Sequence, residues 1–223
     1  MADATARDPE NRNLRERAYA SFTERLMKRE IVAGQFISQR ELVEITGLPL
    51  GAIRELVPRL EAEGLIRTVP QRGMQVTHVD LNLIRNAFQF RLFLEKEATA
   101  LFAENAPEAL IASHLAAHET IIRRAEAGGD PGLVADAERT DRMLHEGIID
   151  HLDNDIISKA FRVNWIKIKL IRQDETRLYE ELVLPVMQDH MAIIEAAMRR
   201  DADAAATAMV QHINNARRRA MDL

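Results

Sequence analysis

Seven histidines and no cysteine bound the chemistry open to this chain of 223 residues. Without thiols there are no disulfides, no thiolate nucleophile and no Cys-based zinc finger. Any metal would have to be held by imidazole nitrogen and carboxylate oxygen. The histidines are His78, His114, His118, His145, His151, His190 and His212. In DRMLHEGIIDH, Asp141 precedes His145 by four residues, a spacing that puts two side chains on one face of a helix. Val134, Ile148 and Leu152 share that stripe. His190 falls on a second apolar stripe with Val183, Val186, Met187, Ile194 and Ala197, and His212 on a third with Ala205, Met209 and Ala216. Burying such histidines unpaired costs on the order of several kcal/mol. Either hydrogen bonds satisfy them one by one, or they converge with Asp141 into a three-nitrogen, one-oxygen set. Such a set suits zinc, nickel, manganese or iron(II) without choosing among them.

The other histidines fit less well. His114 and His118 also stand four apart, and are expected as partly buried helix residues outside the set. His118-Glu119 and His145-Glu146 begin like H-E-x-x-H, but the fifth residues are Ile122 and Ile149, so neither completes that metalloprotease motif. His151 lies six residues beyond His145, roughly 120° around a helix, and falls outside the set. His78 is expected to be structural.

The elements that must carry these residues are mostly helical. Residues 1–12 are polar and expected to fray. A first helix is expected over about 14–31, with Ala18, Phe22, Leu26 and Met27 on one stripe and Gly34 ending it. Ser38 begins SQRELVEIT with Glu41 three residues on, a capping box. Gly47 breaks that helix and LPLGAIRELVPRLEAEG opens the next, with Pro49 at its start and Gly64 past its end. Pro58 should cost that helix a hydrogen bond or bend it. LIRTV and MQVTHV, joined by the turn PQRG, predict a hairpin. Three helices and a short hairpin outline a winged helix-turn-helix over 13–79. From residue 80 to 223 the pattern is all-α: six helices, near 81–104, 107–127, 131–151, 154–174, 177–199 and 202–221, forming an antiparallel bundle. The fold class is therefore mainly α.

Charge divides the same way. Residues 1–79 hold 12 Lys and Arg against 11 Asp and Glu, a balance of +1; the remainder holds 18 against 24, a balance of −6. The acidity belongs to the bundle, and the N-terminal third remains able to meet phosphate. No run approaches the ~20 apolar residues of a membrane span, and the polar N-terminus has no signal-peptide core, so a soluble cytoplasmic protein without membrane contact is expected.

REL, GLPLGAIRELVPRLEAEGLI and PQRGMQV together resemble the winged-helix domain of the GntR family of bacterial transcription regulators. RLFLE at Arg91–Glu95, opening an all-α domain, resembles the FCD (FadR-like) branch, in its six-helix variant. The resemblance covers about 18–220. It implies DNA contacts from Arg40 at the start of the second helix, Arg54 in the recognition helix and Arg72 at the wing tip. The family usually has Ser-Arg where this chain has Pro49-Leu50; Leu50 could instead touch a thymine methyl, so a different operator is expected. The FCD pattern of metal-binding members matches Asp141, His145, His190 and His212. By the same resemblance Arg91, or an Arg91–Glu95 salt bridge instead, belongs near an effector pocket, with Arg172 a further candidate.

The resemblance therefore implies a homodimeric regulator, a repressor by preference, on double-stranded operator DNA. Its control would come from a small carboxylate at a divalent metal. Three alternatives remain: a metal-dependent hydrolase on a helical bundle, a metal-free ligand-sensing regulator, and a pure metal sensor. No general acid or base stands within a motif, which weighs against an enzyme.

Overall fold

The computed structural model describes residues 9–174 and 180–221, with side chains from 13 to 171 and 180 to 221. The chain divides into two compact units, the second starting at Leu81, with residues 169–173 grouping with the first.

The first unit holds α1 (Pro9–Met27), β1 (Phe36–Ile37), α2 (Gln39–Thr46), α3 (Leu50–Ala62), β2 (Ile66–Val69) and β3 (Gly73–Val76). Ala18, Phe22 and Leu26 of α1 meet Leu42 of α2 and Ile53, Leu56 and Leu60 of α3 in a buried core. Helix α2 starts as its sequence demands: the Ser38 hydroxyl accepts from the Glu41 amide while the Glu41 carboxylate accepts from the Ser38 amide. Helix α3 runs through Pro58 without interruption. Two expectations need correction. Helix α1 runs from Pro9 to Met27, not from about 14 to 31: residues 9–12, expected to fray, are helical, and Arg29 turns the chain with a positive φ of 63°. The hairpin is also one strand larger than expected: β1 pairs antiparallel with β3, giving the order β1-β3-β2. A strand of two residues carries no period that a sequence pattern can display.

The wing depends on Gly73. Its φ is +86°, and a Cβ there would lie 3.1 Å from the Ile37 carbonyl oxygen. Only glycine combines that backbone conformation with so close an approach of β1.

The second unit is the helices α4 (Leu81–Asn105), α5 (Glu108–Ala127), α6 (Leu133–Asp150), α7 (Asp155–Asp174), α8 (Glu180–Met198) and α9 (Ala202–Met221). Helix α9 packs along α4 and α8, α5 lies against α8 and α6, and α6 also touches α4 and α8. Small residues on α9, Ala205 and Ala206, are buried with Met209 and Ile213 and allow that close packing. The break expected at QDETR lies largely outside the described residues. Among the described residues no helix is long and apolar enough to cross a membrane.

Candidate metal centre and nucleic-acid interface

The inward stripes of α6, α8 and α9 bring Asp141, His145, His190 and His212 together. Each offers one ligand atom, and these atoms all lie within 4.8 Å of one another in a fully buried group. His190 Nε2 is 3.5 Å from Asp141 Oδ1 and 3.4 Å from His212 Nε2; His145 Nε2 is 3.8 Å from Asp141 Oδ1. Metal–ligand bonds of about 2.1 Å place tetrahedral donors roughly 3.4 Å apart, so the group matches the size of a first coordination shell.

The outer contacts of His145 and His190 fix which nitrogen of each faces inward. His145 Nδ1 lies 2.6 Å from Glu95 Oε2 and donates to it, which leaves Nε2 as a lone pair. His118 Nδ1 donates to the His114 carbonyl at 2.7 Å, so its Nε2 accepts, at 3.1 Å, from His190 Nδ1. That again leaves Nε2 of His190 as a lone pair. His212 Nδ1 lies 3.7 Å from Asp189 Oδ2, and Asp189 is held by the Asn215 amide at 3.1 and 3.0 Å. Lone pairs of His145 and His190 and the Asp141 carboxylate thus converge, with the Arg91 guanidinium at the edge of the group, 3.3 Å from His145 Nε2. Acceptors gathered so closely repel unless a cation sits between them, and a divalent ion fits this donor set.

The electrostatics run the same way. Burial, then the neighbouring His212 and His145, push the His190 pKa well below its ordinary value. Burial also takes His118 and His212 down to about 4, against the opposing pull of the His114 carbonyl on the one and Asp189 on the other. These imidazoles are therefore neutral near pH 7, the state that ligates metal. Glu95 is the reverse case. Burial alone would raise its carboxyl, but Arg91 and His145 outweigh burial and hold it well below the usual carboxylate range.

Arg91, expected at an effector pocket or in a salt bridge with Glu95, makes that salt bridge: its Nε and Nη2 lie 2.6 and 3.1 Å from the two Glu95 oxygens, both residues buried. Arg91 Nη2 also stands 3.4 and 3.3 Å from the two ring nitrogens of His145. Nearly equal distances to both place it over the ring face, beside the four-residue group. Arg172 lies on α7, and its side chain is outside the described residues.

The expectation for His118 is corrected. It has no exposed surface rather than a partly exposed one, and it supports His190 from behind. Its signal was present in the four-residue spacing from His114, but that spacing suggested chelation by the pair and not support of a third histidine. His114 is buried against Gly147, where a Cβ would come within 2.8 Å of its Nε2. His151 caps α6 and meets Phe102 edge-on, with ring centroids 5.5 Å apart. His78 is exposed. Glu95 and Asp189 carried no sequence signal as partners of His145 and His212.

In the first unit, Arg40 is the second residue of α2, and Leu50 opens α3 with 41% of its surface exposed. Arg54 follows Leu50 by four residues on the same face and borders a cleft with Arg15, Glu55 and Pro58. Arg72 stands at the turn between β2 and β3, its guanidinium 4.9 Å from the centre of the Phe36 ring. Arg40, Arg54 and Arg72 are exposed, and among the described residues none is in an ion pair. Arg59, by contrast, is bound by Glu16 and Glu63.

A winged helix-turn-helix joined to a helical bundle with a buried polar centre defines a class: regulators that read DNA with one unit and sense a ligand with the other. Comparison with known proteins makes this specific. The FCD domain model matches residues 86–215, and a winged helix-turn-helix DNA-binding model matches 29–67. The chain belongs to the FCD branch of the GntR family of transcription regulators. It is 26% identical over 209 residues to the Uxu operon transcriptional regulator of Escherichia coli, covering 82% of this chain and 77% of that one. It is 24% identical over 208 residues to the HTH-type transcriptional regulator BphR of Paraburkholderia xenovorans, covering 92% and 84%. Among solved structures, E. coli McbR/YncC shares the fold with a TM-score of 0.75 at 15% identity, over 91% of this chain and 94% of that one. A GntR regulator from Rhodococcus sp. RHA1 does so with a TM-score of 0.72 at 15% identity, over 93% and 97%. The protein is a transcription regulator.

Proposed function

We propose that this regulator holds a divalent metal at Asp141, His145, His190 and His212, and that a small organic acid bound there controls its grip on operator DNA. The observation that carries this reading is the convergence of lone pairs within 4.8 Å, with the outer nitrogens of His145 and His190 committed to other partners. Four protein ligands leave a five- or six-coordinate ion with one or two open positions, and the ion would supply a Lewis-acid anchor for a carboxylate. Arg91 supports the anionic preference: its guanidinium lies over His145 at the edge of the centre. The domains follow as residues 13–79 for DNA and 80–223 for metal, effector and dimerisation.

On the DNA side, α3 is the recognition helix. Arg54 reads a base edge in the major groove, Arg40 and Arg72 contact the duplex from α2 and the wing, and Leu50 meets a thymine methyl. A homodimer would place two wings on a palindrome with half-sites about one helical turn apart. The second copy has an apolar surface to meet on α4, where Phe93 and Leu101 are 73% and 46% exposed. Repression is the preferred mode, with the effector shifting the population toward an arrangement that no longer fits the half-site spacing.

The test uses DNA selected by the zinc-loaded protein from a random pool. Affinity for the selected palindrome is then measured against a panel of small mono- and dicarboxylates. At least one acid should change affinity five-fold or more, by the usual scale of allosteric coupling of about 5–150-fold, and the change should vanish after chelation. A response that survives chelation would favour direct binding of the acid by the histidines.

A further inference from the structure

We infer that His118, on a helix that contributes no ligand, is a positioning residue for the metal centre: it holds His190 in the one tautomer whose Nε2 can bind an ion. The inference rests on the metal-binding reading above and adds a residue to it. Its basis is a chain of three residues with only one consistent proton assignment. The His114 carbonyl can only accept, so His118 Nδ1, 2.7 Å away, carries the proton. His118 has no exposed surface, and a second proton on a ring so far from water is disfavoured. Its Nε2 is therefore a lone pair, and His190 Nδ1 at 3.1 Å must donate to it. The proton of His190 is then on the outer nitrogen, and Nε2 is bare toward Asp141 and His212.

The arrangement makes the ligands unequal. His145 is backed by the Glu95 carboxylate, which makes its inner nitrogen a stronger donor. His190 is backed by a neutral imidazole, which orients it with less gain in basicity. Without His118, the His190 Nδ1–H would be a buried donor with no acceptor. The ring would then regain its proton on Nε2, next to the Asp141 oxygen 3.5 Å away, and that proton would have to be displaced by the metal.

Two measurements on the full-length chain test this. The first is long-range proton–nitrogen NMR on metal-free protein labelled at histidine nitrogen. His190 should be protonated at Nδ1 in the wild type and in His118→Gln, whose side-chain oxygen can accept in place of the imidazole. In His118→Leu it should shift to Nε2. The second is zinc affinity by competition with a chromophoric chelator. His118→Leu should bind zinc about 10–100-fold more weakly, the usual cost of losing an outer partner, and His118→Gln should recover most of it. A wild-type His190 protonated at Nε2 overturns the inference even if His118→Leu does not fold. So does a His118→Leu protein with unchanged tautomer and zinc affinity. If the wild type binds no zinc or other divalent ion, the metal reading fails, while the tautomers still decide whether His118 orients His190.

Discussion

Glu95 accepts from Arg91 on its own helix and from His145 on α6, so a pair that looks like an ordinary i, i+4 helix bridge is also part of the centre. The histidines around it were unequally legible. Asp141 and His145 share a spacing, and His190 and His212 sit on strongly apolar stripes, so a helical period offered the four as a set and the family pattern singled them out. His118 and Asp189 act through the far sides of other side chains, and no sequence spacing encodes that relation. The neutral histidines also set a pH dependence. His118 and His212 titrate near 6.5 when unfolded and at about 4 when folded. Below pH 6.5 the unfolded chain therefore takes up protons that the folded chain refuses, and stability falls with pH. Each histidine accounts for up to about 3 kcal/mol between those limits. The urea midpoint of metal-free protein should fall steadily from pH 7 to 4.5; a flat profile would show that these rings are not held neutral.

At the scale of elements, the capping box and the glycines placed α2 and α3, whereas β1 was invisible because two residues display no period. The end of α1 was misplaced for a different reason: its apolar pattern continues to Ile31, which is buried after the helix has already ended. The separation of roles along α3 is clear in its two faces. Ile53, Leu56 and Leu60 are buried, and Leu50 and Arg54 stand outside. Arg54→Ala removes only an exposed side chain, so the thermal midpoint should hold within about 2 °C, as for surface changes within about 0.5 kcal/mol. Discrimination between the selected palindrome and a variant at the contacted base should drop by about 1–3 kcal/mol. Equal discrimination before and after the change would remove Arg54 from base reading.

Across the whole molecule, the family follows from both units together, since a winged helix alone or a helical bundle alone serves many ends. On the proposed reading the bundle is built around an ion. Metal bound only to the folded form adds to its stability, so content and melting temperature should move together. The most direct measurement is elemental analysis of the purified chain after chelation and reloading, beside the melting temperature, for wild type, His190→Ala and Asp141→Ala. The predicted result is about one divalent ion per wild-type chain, as a single four-ligand site requires, with a rise in melting temperature on loading. Both should be lost in variants that keep their helical circular dichroism. A wild-type chain that retains none of zinc, nickel, manganese or iron(II), or variants that load as fully as the wild type, would contradict it.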